Sequence, residues 1–212
     1  MDPSPSRVPP ATLSAPIAAV PRRSGDERIL TANQPLGPTL RDFWAWSSSD
    51  LLSNTLRGVL AEFLVGTALG CIGEDDTRLE WDQYDLKTAD GTSIEVKSTA
   101  RLQSWGPTKP GSMSFGIGRT QAWNARTNEY STERKRQADV YVFCVFIADD
   151  RTAANPLDTG QWEFYVAATR TLDARFPEHK SIAISTLRAT PGIQACGFTA
   201  LKDAVTAANT EP

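Results

Sequence analysis

Asp85, Glu95 and Lys97, in the stretch "YDLKTADGTSIEVKS" over 84–98, are the residues whose types and spacing offer chemistry. Two carboxylates set opposite each other on neighbouring strands repel strongly unless a cation lies between them. Hard oxygen ligands of this kind suit Mg²⁺, with Mn²⁺ as its substitute. Lys97, two residues beyond Glu95 and on the same side of an extended strand, brings an ammonium to the oxygens of whatever that ion holds. There it can orient a water or stabilise a pentacovalent phosphate. The Val96 carbonyl, between the two charged side chains, adds a further oxygen ligand. The chemistry this set suits is phosphodiester hydrolysis.

Two predicted strands position these groups. "LEWDQYDLK" and "TSIEVKST" flank Asp90-Gly91, a hairpin signal in which glycine takes the left-handed position of a tight turn. A two-residue loop would pair Asp85 with Val96, whereas a three-residue loop, Ala89-Asp90-Gly91, sets Asp85 opposite Glu95. The second register gathers Asp85, Lys87, Glu95 and Lys97 on one face and Tyr84, Leu86, Ile94 and Val96 on the other, so it is preferred. Upstream, Ser53 or Asn54 caps a helix that Gly70 ends. Leu56, Leu60, Phe63, Leu64 and Ala68 form its broad apolar face, and Glu62 sits on a second face beside Gly58, Ala61 and Val65. Downstream, "ADVYVFCVFI" over 138–147 reads as a strand buried on both faces at the centre of a sheet.

An acid-bearing helix, an Asp on a hairpin and then Glu-X-Lys on the next strand resembles the PD-(D/E)XK nuclease superfamily, through Glu62, Asp85, Glu95 and Lys97 over about residues 51–147. Tyr84 stands where the named proline would be. The resemblance implies a restriction-endonuclease-like α/β core (α+β mixed), a central mixed β-sheet flanked by helices. It also implies that Asp85 and Glu95 bind metal, that Lys97 assists the attacking water, and that Glu62 supports the metal shell. The competing reading makes Asp85, Lys87, Glu95 and Lys97 a solvated hairpin face with weak cross-strand ion pairs.

The net charge of −3 excludes a protein that coats nucleic acid through bulk electrostatics, so a polyanion must be met by a local patch. One exists: between 98 and 137 stand seven basic residues, Arg101, Lys109, Arg119, Arg126, Arg134, Lys135 and Arg136, against Glu129 and Glu133. Arg119, Gln121, Arg134, Lys135 and Arg136 are the candidate nucleic-acid contacts, and Trp105, Phe115, Trp123 and Tyr130 interleave with the cations as base-stacking groups would. The expected partner is DNA, with RNA admissible and a homodimer favoured if both strands of a duplex are cut. A non-catalytic nucleic-acid-binding or assembly module that keeps the same core is the alternative.

Other chemistries lack material. The single histidine, His179, sits in "FPEHKS" and reads as a surface loop residue, which leaves no His-based zinc site or Ser-His-Asp arrangement. Cys144 falls in the apolar strand and reads as core, and three scattered cysteines argue against a disulfide framework. No apolar run reaches membrane-spanning length, so no membrane partner is expected and a cytoplasmic location fits. Residues 1–38, rich in Pro, Ser and Ala, read as a disordered tail ahead of a single domain over 39–212. A short strand is expected near 113–117, partial helix over 120–137, a strand at "QWEFYVAA", and short helices near "RTLDARF", after Ser185 and over 199–207.

Overall fold

In the computed structural model, residues 20–78, 83–107, 113–124 and 129–210 are described. Strands β1 (Arg28–Thr31) and β2 (Gln34–Thr39) form an antiparallel hairpin. Its turn residues Ala32 and Asn33 both have positive φ, 47° and 65°, as a two-residue turn of matching twist requires. This corrects the disordered tail expected over 1–38, of which residues 1–19 lie outside the described residues. The hairpin carries no buried face and hence no apolar alternation to betray it. Turn chemistry and hydrogen bonds from Leu40 N–H to Glu27 and from Arg41 N–H to Gly25 order it instead.

Helix α1 (Leu40–Ser48) follows, started by a capping box between Thr39 and Asp42. Helix α2 (Asn54–Leu69) begins at Ser53, whose hydroxyl accepts from Leu56 N–H at 3.2 Å, and ends at Gly70 with φ 69°, as expected. Its stripe against the sheet is Ala61, Leu64, Val65 and Leu69, while Phe63 is half exposed rather than part of the apolar face. Next come β3 (Leu86–Lys87), β4 (Ser93–Ala100), β5 (Leu102–Gln103), β6 (Gly106–Pro107) and β7 (Ser114–Gly116).

Strands β8 (Thr120–Asn124) and β9 (Glu129–Lys135) form a hairpin, where partial helix was expected over 120–137. Charged residues dominate the composition there, but Thr120, Trp123, Tyr130 and Thr132 favour a pleated surface, and long-range pairing decides. Then follow β10 (Val140–Phe146), β11 (Trp162–Ala168), α3 (Thr169–Arg175), β12 (Ser181–Ala183), α4 (Ile184–Ala189), β13 (Ala195–Cys196) and α5 (Leu201–Thr210). Helix α4 begins after Ala183 without a side-chain cap, so Ser185 lies within it instead of capping it.

The central sheet runs β13-β11-β10-β4-β3. Only β10 and β4 pair in parallel, so the sheet is mixed and the fold is mixed α/β. Every residue of β10 is buried, as its continuous apolar run predicts. Alternation divides the core. Ile94, Val96, Val142, Cys144 and Phe146 pack with α2 and α5, and Tyr141, Phe143 and Val145 pack with β7, α3, β12 and α4. Glu95 and Lys97 fall on the second face, because they register with Tyr141 and Phe143.

Candidate active site

The β3–β4 turn decides whether the two acids meet. Leu86 pairs with Ile94 and Lys87 with Ser93, and Thr88 N–H donates to the Thr92 carbonyl at 3.0 Å. The loop is therefore Ala89-Asp90-Gly91, with Gly91 at φ 92°, a conformation that glycine adopts without steric cost. Asp90 accepts from the side chains of Thr88 and Thr92, which stiffens the loop. The paired register ends at Leu86–Ile94; beyond it Asp85 N–H donates to the Ile94 carbonyl at 3.0 Å, while its carboxylate reaches forward to Val96 N–H, which keeps it beside Glu95 without a strand pairing between the two. Asp139 fixes the other border of β4: its carboxylate accepts from Ser93 N–H at 2.9 Å and from the Ser93 hydroxyl at 2.6 Å, aligning the starts of β4 and β10.

Asp85, Glu95 and Lys97 line one cleft of about 950 Å³. Lys97 Nζ contacts Glu95 Oε1 directly, and Asp85 Oδ2 accepts from Val96 N–H at 2.7 Å. A strand residue points its N–H and C=O to the same edge, so the Val96 carbonyl also faces the Asp85 side. Asp85 is pushed up to about 6, first by burial and then by the Glu95 charge; the Val96 N–H and, less, the Lys97 charge only partly offset them. Near neutral pH the pair thus carries more negative charge than Lys97 alone balances well. A hard divalent cation fits that imbalance, and Asp85, Glu95 and the Val96 carbonyl are the oxygens able to hold it. Among the described residues no group of three or more His, Cys, Asp and Glu side chains is placed to hold a metal ion. Two carboxylates with water and substrate oxygens completing the shell is the pattern Mg²⁺ favours over a full protein cage.

Glu62 does not line the cleft. Helix α2 covers the opposite face of the sheet, and both Glu62 oxygens are taken by Arg78, at 2.5 and 2.9 Å. Its influence reaches Asp85 only as a further charge that raises the carboxyl. Lys87 also leaves the cleft and lies 5.8 Å from the Tyr84 ring centroid.

Of the expected phosphate contacts, Arg119 and Arg134 line the cleft, with Arg134 donating to the Arg119 carbonyl at 3.0 Å. Gln121 and Lys135 lie on the exposed β8–β9 arm away from the lining. Arg136 is a correction. Its side chain is fully buried and donates to the Ile117 carbonyl at 2.8 Å, the Phe176 carbonyl at 2.7 Å and Asp173 at 2.5 Å, so it anchors the base of the arm rather than meeting a ligand. Phe115 likewise belongs to the core, 5.0 Å from Phe143, whereas Trp123 and Tyr130 pack together at 4.9 Å with Tyr130 exposed. Lys109 and Arg126 lie outside the described residues.

Sequence reasoning missed Tyr141, Gln137, His179 and Lys180 in the cleft lining. His179 is an exposed loop residue as expected, edge-on to Phe176 at 5.3 Å. Tyr141 could have been found only by knowing that β10 runs parallel to β4 in a register that sets it beside Glu95. Cys144 is buried, and burial pushes its thiol well above the ordinary range, as a core cysteine requires. No family model matches the chain, and no curated protein matches its sequence.

Proposed function

We propose that the chain is a Mg²⁺-dependent deoxyribonuclease with a restriction-endonuclease-like core, hydrolysing phosphodiesters in the cleft between β4 and the β8–β9 arm. The observation that carries this reading is the meeting of Asp85, Glu95 and Lys97 in one cleft whose lining also includes Arg119, Arg134 and Lys180. Asp85, Glu95 and the Val96 carbonyl would hold the ion, which contributes positive charge to the phosphate oxygens and an acidified water. Lys97 would orient a water from the Glu95 side for attack on phosphorus and offset the charge that develops on the phosphoryl oxygens as the P–O bond to the leaving oxygen breaks. Arg119 and Arg134 hold the flanking backbone. Glu62, engaged by Arg78, would act only through its charge, which raises the Asp85 carboxyl.

The test is cleavage of supercoiled and linear DNA with Mg²⁺, Mn²⁺ or EDTA. Wild-type protein nicks or cuts with either metal, and Asp85→Ala and Lys97→Ala abolish cleavage while the circular dichroism spectrum stays native. Equal activity in wild type and both variants would rule the reading out.

A second reading, a non-catalytic nucleic-acid-binding module, draws on the absence of a three-carboxylate group among the described residues and on the retained basic wall. Calorimetry separates the two: this module binds DNA with a salt-dependent affinity and takes up neither Mg²⁺ nor Mn²⁺. For either reading, no helix among the described residues is long and apolar enough to cross a membrane.

A further inference from the structure

Two tyrosines on the same face of the sheet are almost equally buried, Tyr141 at 4% and Tyr165 at 3% exposure, yet their hydroxyls differ in what they meet. Tyr165 Oη donates to Glu163 at 2.7 Å and accepts from Arg188 Nε at 2.6 Å, so its polar atom is fully engaged. Tyr141 lies beside Glu95 in the parallel β4–β10 register and lines the cleft. Among the described residues its hydroxyl has no hydrogen-bond partner, and Glu95 is instead contacted by Lys97. The ring is buried, but the hydroxyl is not among the buried side-chain oxygens left without a partner, so it is open to the cleft and free to meet whatever enters. Packing leaves Tyr141 little freedom to look elsewhere: its ring lies against Phe143 with centroids 5.8 Å apart and planes 27° apart.

The same cleft is lined by Asp85, Glu95 and Glu178 together with Lys97, Arg119, Arg134 and Lys180, so the cations outnumber the carboxylates by one and an anion can be met there, above all with a cation held by the Asp85–Glu95 pair. A phenol carries its proton on oxygen at neutral pH and can donate it in a hydrogen bond. Tyr141 is thus equipped to donate to an anion while the cations neutralise it. We propose that Tyr141 Oη donates a hydrogen bond to a non-bridging phosphoryl oxygen of a bound phosphodiester, making Tyr141 a substrate-contact residue. This rests on the nuclease reading for the identity of the ligand, but its direct test needs no turnover.

The protein labelled with 3-fluorotyrosine holds four such residues, Tyr84, Tyr130, Tyr141 and Tyr165. Their ¹⁹F resonances are distinguished by removing the other three singly with Tyr84→Phe, Tyr130→Phe and Tyr165→Phe, so Tyr141 is read in a chain that keeps it. A short DNA duplex is titrated in EDTA and again in Ca²⁺, with binding followed in parallel by anisotropy. The expected result is a saturable shift of the Tyr141 resonance along the binding isotherm, with Tyr165 unmoved. In Mg²⁺, Tyr141→Phe lowers kcat/KM by about tenfold or more, the loss expected for one hydrogen bond to a charged group, without loss of native circular dichroism. DNA binding that leaves the Tyr141 resonance still, or cleavage that Tyr141→Phe leaves intact, overturns the tyrosine contact and spares the nuclease reading. A moved resonance with no cleavage in Mg²⁺ or Mn²⁺ upholds the contact and sinks the nuclease. No DNA binding in either medium overturns both.

Discussion

At the scale of single residues, Asp85 couples folding to protons and, in the proposed site, to metal. Its carboxyl is raised from an ordinary 3.8 to about 6, so the folded protein binds the proton more tightly than the unfolded chain does. The stability this contributes is complete below about pH 4 and lost as pH rises through 6, on the order of 3 kcal/mol for a rise from 3.8 to about 6. In EDTA the melting temperature of the wild type should therefore fall by about 5–10 °C between pH 4.5 and 8 beyond any change in Asp85→Asn, whose side chain has no such titration. Mg²⁺ at pH 8 should restore the wild type and not the variant. Parallel pH curves for the two proteins in EDTA would refute this account. Asp85, Glu95 and Lys97 were legible because one short turn with a glycine relates them, and local chemistry sets that turn. Arg136 was not: a run of "ERKRQ" looks equally solvated at each position until the fold supplies carbonyls from Ile117 and Phe176, distant in sequence.

At the scale of elements, the β3–β4 turn and the β8–β9 arm hold the two sides of the cleft. Gly91 sits at φ 92° with open space where a Cβ would go, so Gly91→Ala suffers only backbone strain, about 1–2 kcal/mol. Denaturant melts should show that loss, and weaker metal uptake should accompany it if the turn sets the Asp85–Glu95 register. The arm separates two neighbouring arginines by role. Arg136→Ala removes a buried cation and leaves two carbonyls and Asp173 without their donor, with an expected cost of about 3 kcal/mol. Arg134→Ala, on the exposed strand, should shift stability by less than about 0.5 kcal/mol while weakening DNA binding. Equal melting temperatures for the two variants would contradict the anchor. The end of helix α2 was legible to the residue at Gly70, and its start to within one residue, since both Ser53 and Asn54 can cap and only the fold shows that Ser53 does. Its buried Arg57 was hidden, since the Asn54, Leu52, Ser98 and Gln103 oxygens that accept from it come from both near and distant parts of the chain.

At the scale of the whole molecule, an overall charge of −3 has to coexist with the proposed affinity for a polyanion. The central strand was legible from its unbroken apolar run, but its parallel pairing with β4 was not, because sequence periodicity carries no strand order. That pairing turns scattered cations into one wall: β10 carries Tyr141 beside Glu95, while loops and the arm bring Arg119, Arg134 and Lys180 to the same cleft. Each lysine or arginine that neutralises a phosphate releases about one counterion, so the slope of log affinity against log salt counts these contacts. Arg119→Ala, Arg134→Ala and Lys180→Ala should each reduce the slope by about 1 and weaken binding alike across DNA sequences. Lys135→Ala, outside the lining, should leave the slope unchanged. Binding measured by anisotropy from low to physiological salt decides this. If Lys135→Ala changes the slope and the three lining variants do not, DNA lies along the outside of the arm, and the cleft is not its seat.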